Sequence, residues 1–199
     1  MSVAPIIMIT GEKVALGPPT RSILPLMAKW DNDLNLSVLS GDPVRPRSPE
    51  ASESEYESYT KSARPDWTLF VIYERTAQRP VGITELTNIN HAHRTAEFGI
   101  RIGEQDCWGK GYGTEATVLT LDYAFTALSL HNVFLDVHSY NERAIRAYKR
   151  AGFQVIGRRR EAFHLADRVY DQIFMDCLAT EFQSSLPPVL DLPSAEETR

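Results

Sequence analysis

The sequence predicts an α/β (α+β) fold in which helices pack against one mixed central β-sheet. Short runs rich in β-branched and aromatic residues alternate with segments of helical periodicity, and turn-forming residues separate them. The chain has 199 residues, of which 43% are hydrophobic. This is enough apolar material for one core without metal or disulfide crosslinks. We therefore expect a single domain over residues 1–185.

The strands are predicted from runs bounded by turn residues. These runs are residues 68–74, 81–87, 95–102, 133–138, 153–159 and 169–176. The Gln78-Arg79-Pro80 link between the first two runs indicates a hairpin.

Two helices are predicted between the later strands. Residues 114–130 repeat apolar side chains at three- and four-residue spacing, which is one helical face. Residues 141–151 begin at Asn141, a favoured N-cap, and stop at Gly152. A further helical region is expected around Trp30.

Two segments are predicted to lie outside regular structure. Residues 41–58 are rich in proline and small polar residues, and they indicate a loop or flap insertion that leads into a short helix. Residues 186–199 form a proline-containing tail that we expect to be disordered.

Composition excludes several classes of protein. The two cysteines, Cys107 and Cys177, are too few for a disulfide framework, so we expect a cytoplasmic protein. No apolar run approaches the length of about 20 residues that a membrane span needs. The formal net charge of −5 argues against general nucleic-acid binding.

A glycine-rich segment between a predicted strand and the first predicted helix indicates an anion site. Gly109, Gly111 and Gly113 leave little side chain there, so backbone N–H groups at a helix N-terminus can converge on a phosphate, and Lys110 adds a positive charge. The alternative is a tight turn with no ligand. The spacing fits neither the nucleotide-binding P-loop nor the G-x-G-x-x-G dinucleotide fingerprint.

Two motifs resemble the GNAT superfamily of N-acetyltransferases. The family's acetyl-CoA loop reads Gln/Arg-x-x-Gly-x-Gly/Ala. Here Gly111 and Gly113 match its glycines, while Trp108 stands where Gln or Arg is usual. The second motif is Asn141-x-x-Ala144-x-x-x-Tyr148-x-x-x-Gly152-Phe153. The resemblance extends over about residues 81–181 and is strongest to the branch that holds spermidine and ribosomal-protein alanine acetyltransferases.

The resemblance implies a GNAT fold with a splayed pair of central strands, and acetyl transfer from acetyl-CoA to a primary amine. The acceptor would be a small molecule, either polyamine-like or an antibiotic, or a protein N-terminus. The alternative is a non-catalytic module that binds CoA or a partner. No metal and no membrane or general nucleic-acid partner is expected, and a homodimer is the oligomeric state to test.

The resemblance also implies site residues. Tyr148 would donate a proton to the departing sulfur, or would be a core aromatic. Glu97 would be the base through water, or would form a salt bridge with Arg94 or Arg101. The cosubstrate would contact Ile100, Arg101, Ile102, Trp108, Gly109, Lys110, Gly111, Tyr112, Gly113, Thr114, Asn141, Ala144, Tyr148 and Arg150.

Three carboxylates are candidates for binding the acceptor amine. Glu85 lies on a predicted strand, and Asp31 and Asp33 lie in the expected N-terminal helical region. The alternative for Asp31 and Asp33 is helix capping.

Overall fold

The computed structural model describes residues 4–41, 45–61 and 64–190, and within these ranges the chain forms an eight-stranded sheet. The strands are β1 (Ile9–Thr10), β2 (Val14–Gly17), β3 (Thr68–Glu74), β4 (Pro80–Asn90), β5 (Thr95–Ile102), β6 (Asn132–His138), β7 (Gln154–Leu165) and β8 (Arg168–Leu178). Their spatial order is β1-β2-β3-β4-β5-β6-β8-β7.

Helices cover the sheet. They are α1 (Leu24–Asp31), α2 (Leu34–Ser40), α3 (Pro49–Lys61), α4 (Tyr112–Asp122) and α5 (Glu142–Ala151). A π-helical turn, Tyr123–Ala127, continues α4. None of the helices in the described part of the chain is long and apolar enough to cross a membrane.

The sheet splits at its centre. β5 and β6 run parallel and pair only over Thr95–Glu97 and Asn132–Phe134. Beyond these residues β5 stays with β4, whereas β6 stays with β8, and both of these pairings are antiparallel. The predicted mixed sheet with a splayed strand pair is confirmed.

The expected loop or flap over residues 41–58 is wrong for most of that segment, because α3 begins at Pro49. The proline occupies the first helical position, where its missing N–H costs nothing. Ion pairs then hold the polar helix: the distant Arg21 binds Glu53, and Arg47, just before the helix, binds Glu55. Residues 42–44 lie outside the described residues.

The expected disorder of the tail is wrong for residues 186–190. Leu186 and Val189 pack against a buried apolar cluster beneath α4, and the Val189 N–H donates to Asp122 Oδ2 at 2.9 Å. Residues 191–199 lie outside the described part of the chain.

The end of β5 is shaped by one close contact. Trp30 of α1 is fully buried, and a Cβ at Gly103 would lie 2.3 Å from its ring. Only glycine therefore lets α1 approach the sheet here. This contact packs α1 against the end of β5.

Candidate active site

The parting strands open into a cleft of about 1420 Å³. It brings together most of the residues that the sequence singles out. These are Asp31, Glu85, Glu97, Ile100, Arg101, Ile102, Trp108, Gly109, Gly111, Tyr112, Gly113, Thr114, Asn141, Ala144, Tyr148 and Arg150.

The glycine loop forms one end of the cleft. Gly109 and Gly111 have φ of 77° and 86°, a region that favours glycine, and α4 begins at the next residue, Tyr112. A Cβ at Gly111 would lie 3.1 Å from Lys13 Nζ, so an ammonium lies close to the loop. The loop therefore leaves backbone N–H groups at the N-terminus of α4 uncovered by side chains, which suits binding of an anion.

Trp108 is fixed in the cleft wall. Its indole N–H donates to the Ile102 carbonyl at 2.9 Å. The guanidinium of Arg143, from the first turn of α5, lies 3.7 Å from the ring centroid. Trp108 thus replaces the Gln or Arg of the loop motif, and an arginine from α5, Arg143, lies against the face of its ring.

Tyr148 lies partly buried on α5. Its ring makes edge contacts with Phe98 and Phe153, at centroid distances of 6.1 and 5.9 Å. Burial, with a smaller contribution from the charge of Asp136, raises the pKa of Tyr148 to about 12. Its hydroxyl has no hydrogen-bond partner among the described residues. The phenol therefore keeps its proton at neutral pH and is available to donate it.

Glu97 and Glu85 occupy neighbouring strands on the same side of the sheet. The Asn88 amide donates to Glu97 Oε2 at 2.9 Å, and the Trp67 indole N–H donates to Glu85 Oε2 at 2.8 Å. Glu97 therefore accepts a hydrogen bond from an amide. Among the residues that the structure describes, it forms no salt bridge with Arg94 or Arg101.

Asp31 lines the cleft but is already neutralised. Its carboxylate lies 2.7 Å from Arg101 and 3.4 Å from Arg47, and its side chain is only 5% exposed. Two guanidinium groups share this buried carboxylate, which favours a structural role for Asp31 over acceptor binding.

Two further residues that the sequence singles out, Asp33 and Lys110, lie outside the cleft lining. Asp33 does not line the cleft, because it caps α2 by accepting from the N–H groups of Asn35 and Leu36. Lys110 also lies outside the lining, with its ammonium 5.9 Å from the Tyr112 ring centroid.

Asn141 lines the cleft and also caps a helix. Its side-chain oxygen accepts from the Ala144 N–H, and its amide donates to the Leu39 carbonyl at 2.9 Å. The residue thereby caps α5 and ties it to the end of α2.

A sequence profile described as "Acetyltransferase (GNAT) domain" matches residues 13–154. The chain belongs to the GNAT family. The match includes the glycine loop, the splayed strands and Tyr148, so the GNAT region contains the cleft.

Several GNAT proteins are similar to this chain. The spermidine N(1)-acetyltransferase of Escherichia coli K12 is 42% identical over 94 residues, which are 47% of this chain and 50% of that protein. The corresponding protein of Vibrio cholerae is 32% identical over 133 residues, which are 67% and 76% of the two chains. This chain thus spans about half the length of the Escherichia coli relative.

A solved structure is similar along almost its whole length. It is the spermidine N-acetyltransferase of Vibrio cholerae in complex with CoA and spermine, with a TM-score of 0.77 and 28% identity. The alignment covers 85% of this chain and 97% of that one.

Sequence reasoning missed three residues that line the GNAT cleft: Asp136 and His138 on β6, and Arg143 on α5. The alternation of buried and exposed residues along β6 could have found the first two, because it places them on the same face as Phe134, opposite Glu97. Arg143 had no such signal. Among the described residues, no group of three or more His, Cys, Asp or Glu side chains is arranged to hold a metal.

Proposed function

We propose that this protein is an N-acetyltransferase that moves the acetyl group of acetyl-CoA to a primary amine of a polyamine-like molecule. One observation carries the proposal: the glycine loop, the gap between β5 and β6, and Tyr148 all line a single cleft. A thioester whose diphosphate lies on the loop would reach the gap, where the free strand edges offer backbone partners to an extended pantetheine.

The reaction needs few side chains. The neutral amine attacks the thioester carbonyl carbon, the carbon–sulfur bond breaks, and the sulfur leaves with a proton. Tyr148, which lines the cleft and is protonated at neutral pH, supplies that proton. Glu97 accepts the proton lost by the amine through water. The Ile102 N–H polarises the acetyl carbonyl.

The charges on β5 and β6 support a cationic acceptor. Glu97 and Asp136 accept hydrogen bonds from the amides of Asn88 and Gln172, and neither carboxylate forms an ion pair with a described residue. The side chains of Glu97 and Asp136 lie on one face of the sheet beside the gap between the strands. Glu85 lies on the adjacent strand. Such a surface attracts an amine that carries several positive charges.

An acetyl-CoA turnover screen across polyamines, aminoglycosides and peptides with free N-termini tests the proposal. Release of free CoA with spermidine or spermine, above the rate with the other acceptors, is the expected result. Faster turnover of a peptide or an aminoglycoside would overturn the acceptor assignment. Binding of acetyl-CoA without turnover of any amine would favour the non-catalytic alternative.

We further propose a single domain over residues 1–185 with an appended C-terminal segment, a cytoplasmic location and a homodimer. The two unpaired, buried cysteines favour a reducing compartment. Light scattering of the purified protein measures the oligomeric state.

A further inference from the structure

The first turn of α5 places in the cleft a cation that has no counter-ion among the described residues. Arg143 lines the cleft and forms no ion pair with any residue that the structure describes. Its neighbour Arg146, one turn further along, is paired with Glu142 at 3.0 Å. Partial burial lowers the pKa of Arg143, and no nearby carboxylate offsets that effect. Arg143 is thus a solvent-accessible guanidinium on the cleft wall that has no counter-ion among the described residues, so it can bind an anionic ligand.

An aromatic ring holds this guanidinium in place. Arg143 stacks at 3.7 Å on Trp108, and the Trp108 ring is itself anchored on the Ile102 carbonyl. Stacking on an aromatic face leaves the in-plane N–H donors of arginine free to bind another group. The guanidinium is therefore ordered before any ligand arrives.

The position of the stack indicates the ligand. Trp108 immediately precedes Gly109, the first residue of the glycine loop, and Gly109, Gly111 and Gly113 line the same cleft as Arg143. The loop offers backbone N–H groups at the start of α4, whereas Arg143 offers charged donors from the start of α5. Two sets of donors that converge from different helices suit a diphosphate better than a single carboxylate.

We infer that Arg143, stacked on Trp108, binds the diphosphate of the acyl-CoA substrate and supplies the side-chain contact that the loop motif lacks at position 108. This inference rests on the proposed function. The diphosphate would then be bound by the glycine loop before α4 and by Arg143 of α5. Trp108 would orient the Arg143 guanidinium by stacking against it.

The test compares Arg143→Gln with the wild type in two assays. Calorimetry with CoA should show a dissociation constant raised by about 10-fold or more, the usual range for losing a charge-assisted hydrogen bond. Single-turnover acetylation should show a similar rise in the half-saturating concentration of acetyl-CoA with little change in the maximal rate, because a phosphate contact is made equally in the ground state and the transition state. Acetyl-pantetheine, which lacks the diphosphate, should react equally well with both proteins.

Two control variants sharpen the result. Lys149→Gln removes a positive charge from the exposed side of the same helix and should leave the dissociation constant within about 2-fold of the wild type. Arg143→Lys keeps a charge at the site and should recover part of the loss, whereas the planar stack on Trp108 is gone.

The ligands separate the possible failures. Unchanged CoA affinity in Arg143→Gln would overturn this inference while leaving the proposed function intact, and failure of the wild type to bind CoA would overturn both. An equal loss with acetyl-pantetheine would show that Arg143 does not act on phosphate. Dephospho-CoA keeps the diphosphate and lacks the 3′-phosphate. If it bound equally well to both proteins, the diphosphate assignment would be wrong.

Discussion

The carboxylate of Asp31 and the guanidinium of Arg101 lie 2.7 Å apart and join α1 to β5 at the wall of the cleft. Only 5% of the Asp31 side chain and 15% of the Arg101 side chain are exposed. This ion pair therefore fixes the N-terminal helices against the strand that borders the gap.

Replacing Asp31 with Asn should destabilise the protein by about 3 kcal/mol, because Arg101 would keep its charge in a largely desolvated position. Urea denaturation measures the change in the free energy of unfolding. The control is Glu53→Gln, which breaks an exposed pair with Arg21 and should cost less than about 1 kcal/mol. Equal losses in the two variants would contradict a structural role for the buried pair.

Replacing Tyr148 with Phe should lower the single-turnover rate by about 10²-fold, the usual contribution of one general acid. The ring contacts with Phe98 and Phe153 remain, so CoA affinity and melting temperature should hardly change. Tyr170→Phe, outside the cleft, is the matched control. A normal rate in Tyr148→Phe would mean that the residue serves packing alone.

Replacing Gly111 with Asp should abolish the thermal stabilisation by acetyl-CoA. The substitution forces a side chain into a φ of 86° and sets a negative charge where the phosphates would lie. Gly157→Asp on β7, where glycine has no positive φ, should retain the ligand-induced shift. The loop assignment fails if the two variants respond alike to acetyl-CoA.

Lowering the pH from about 7.5 to 5.5 should destabilise the protein through His138. Burial lowers the pKa of His138, and its Nδ1 has no hydrogen-bond partner among the described residues. The unfolded chain therefore takes up the proton first, below its pKa of about 6.5. The free energy of unfolding falls from there until the pH passes the folded-state pKa.

Denaturation at several pH values compares His138→Asn with the wild type. The variant should show a smaller loss over this range, whereas the exposed His164→Asn should behave as the wild type does. If His138→Asn lost stability as steeply as the wild type, another group would be responsible.

Local patterns predicted the elements that local interactions determine. Strand β3 and strand β5 have the predicted bounds, and the cap and stop of α5 were visible as Asn141 and Gly152. The sequence predicts a loop over most of α3, because its residues are polar and prolines precede them. Its stability depends on partners distant in sequence, such as Arg21, which is 32 residues from Glu53. No local pattern carries that information.

The candidate site divides in the same way. The glycine loop and Tyr148 belong to contiguous motifs, and the structure brings them into one cleft. The true setting of Asp31 depends on Arg101, 70 residues away, and the stack of Arg143 on Trp108 joins α5 to the loop that precedes α4. These relationships arise only from the packed arrangement of α1, β5 and α5.

The short pairing of β5 with β6 has a mechanical consequence. The two halves of the sheet share only the ladder between Thr95–Glu97 and Asn132–Phe134 in the described chain. An extended ligand seated in the opening would complete the interrupted ladder and act as a removable strand. The protein would then be most rigid with the ligand bound. Each release of product would leave the two halves of the sheet connected only by the short β5–β6 ladder, and freer to move relative to each other.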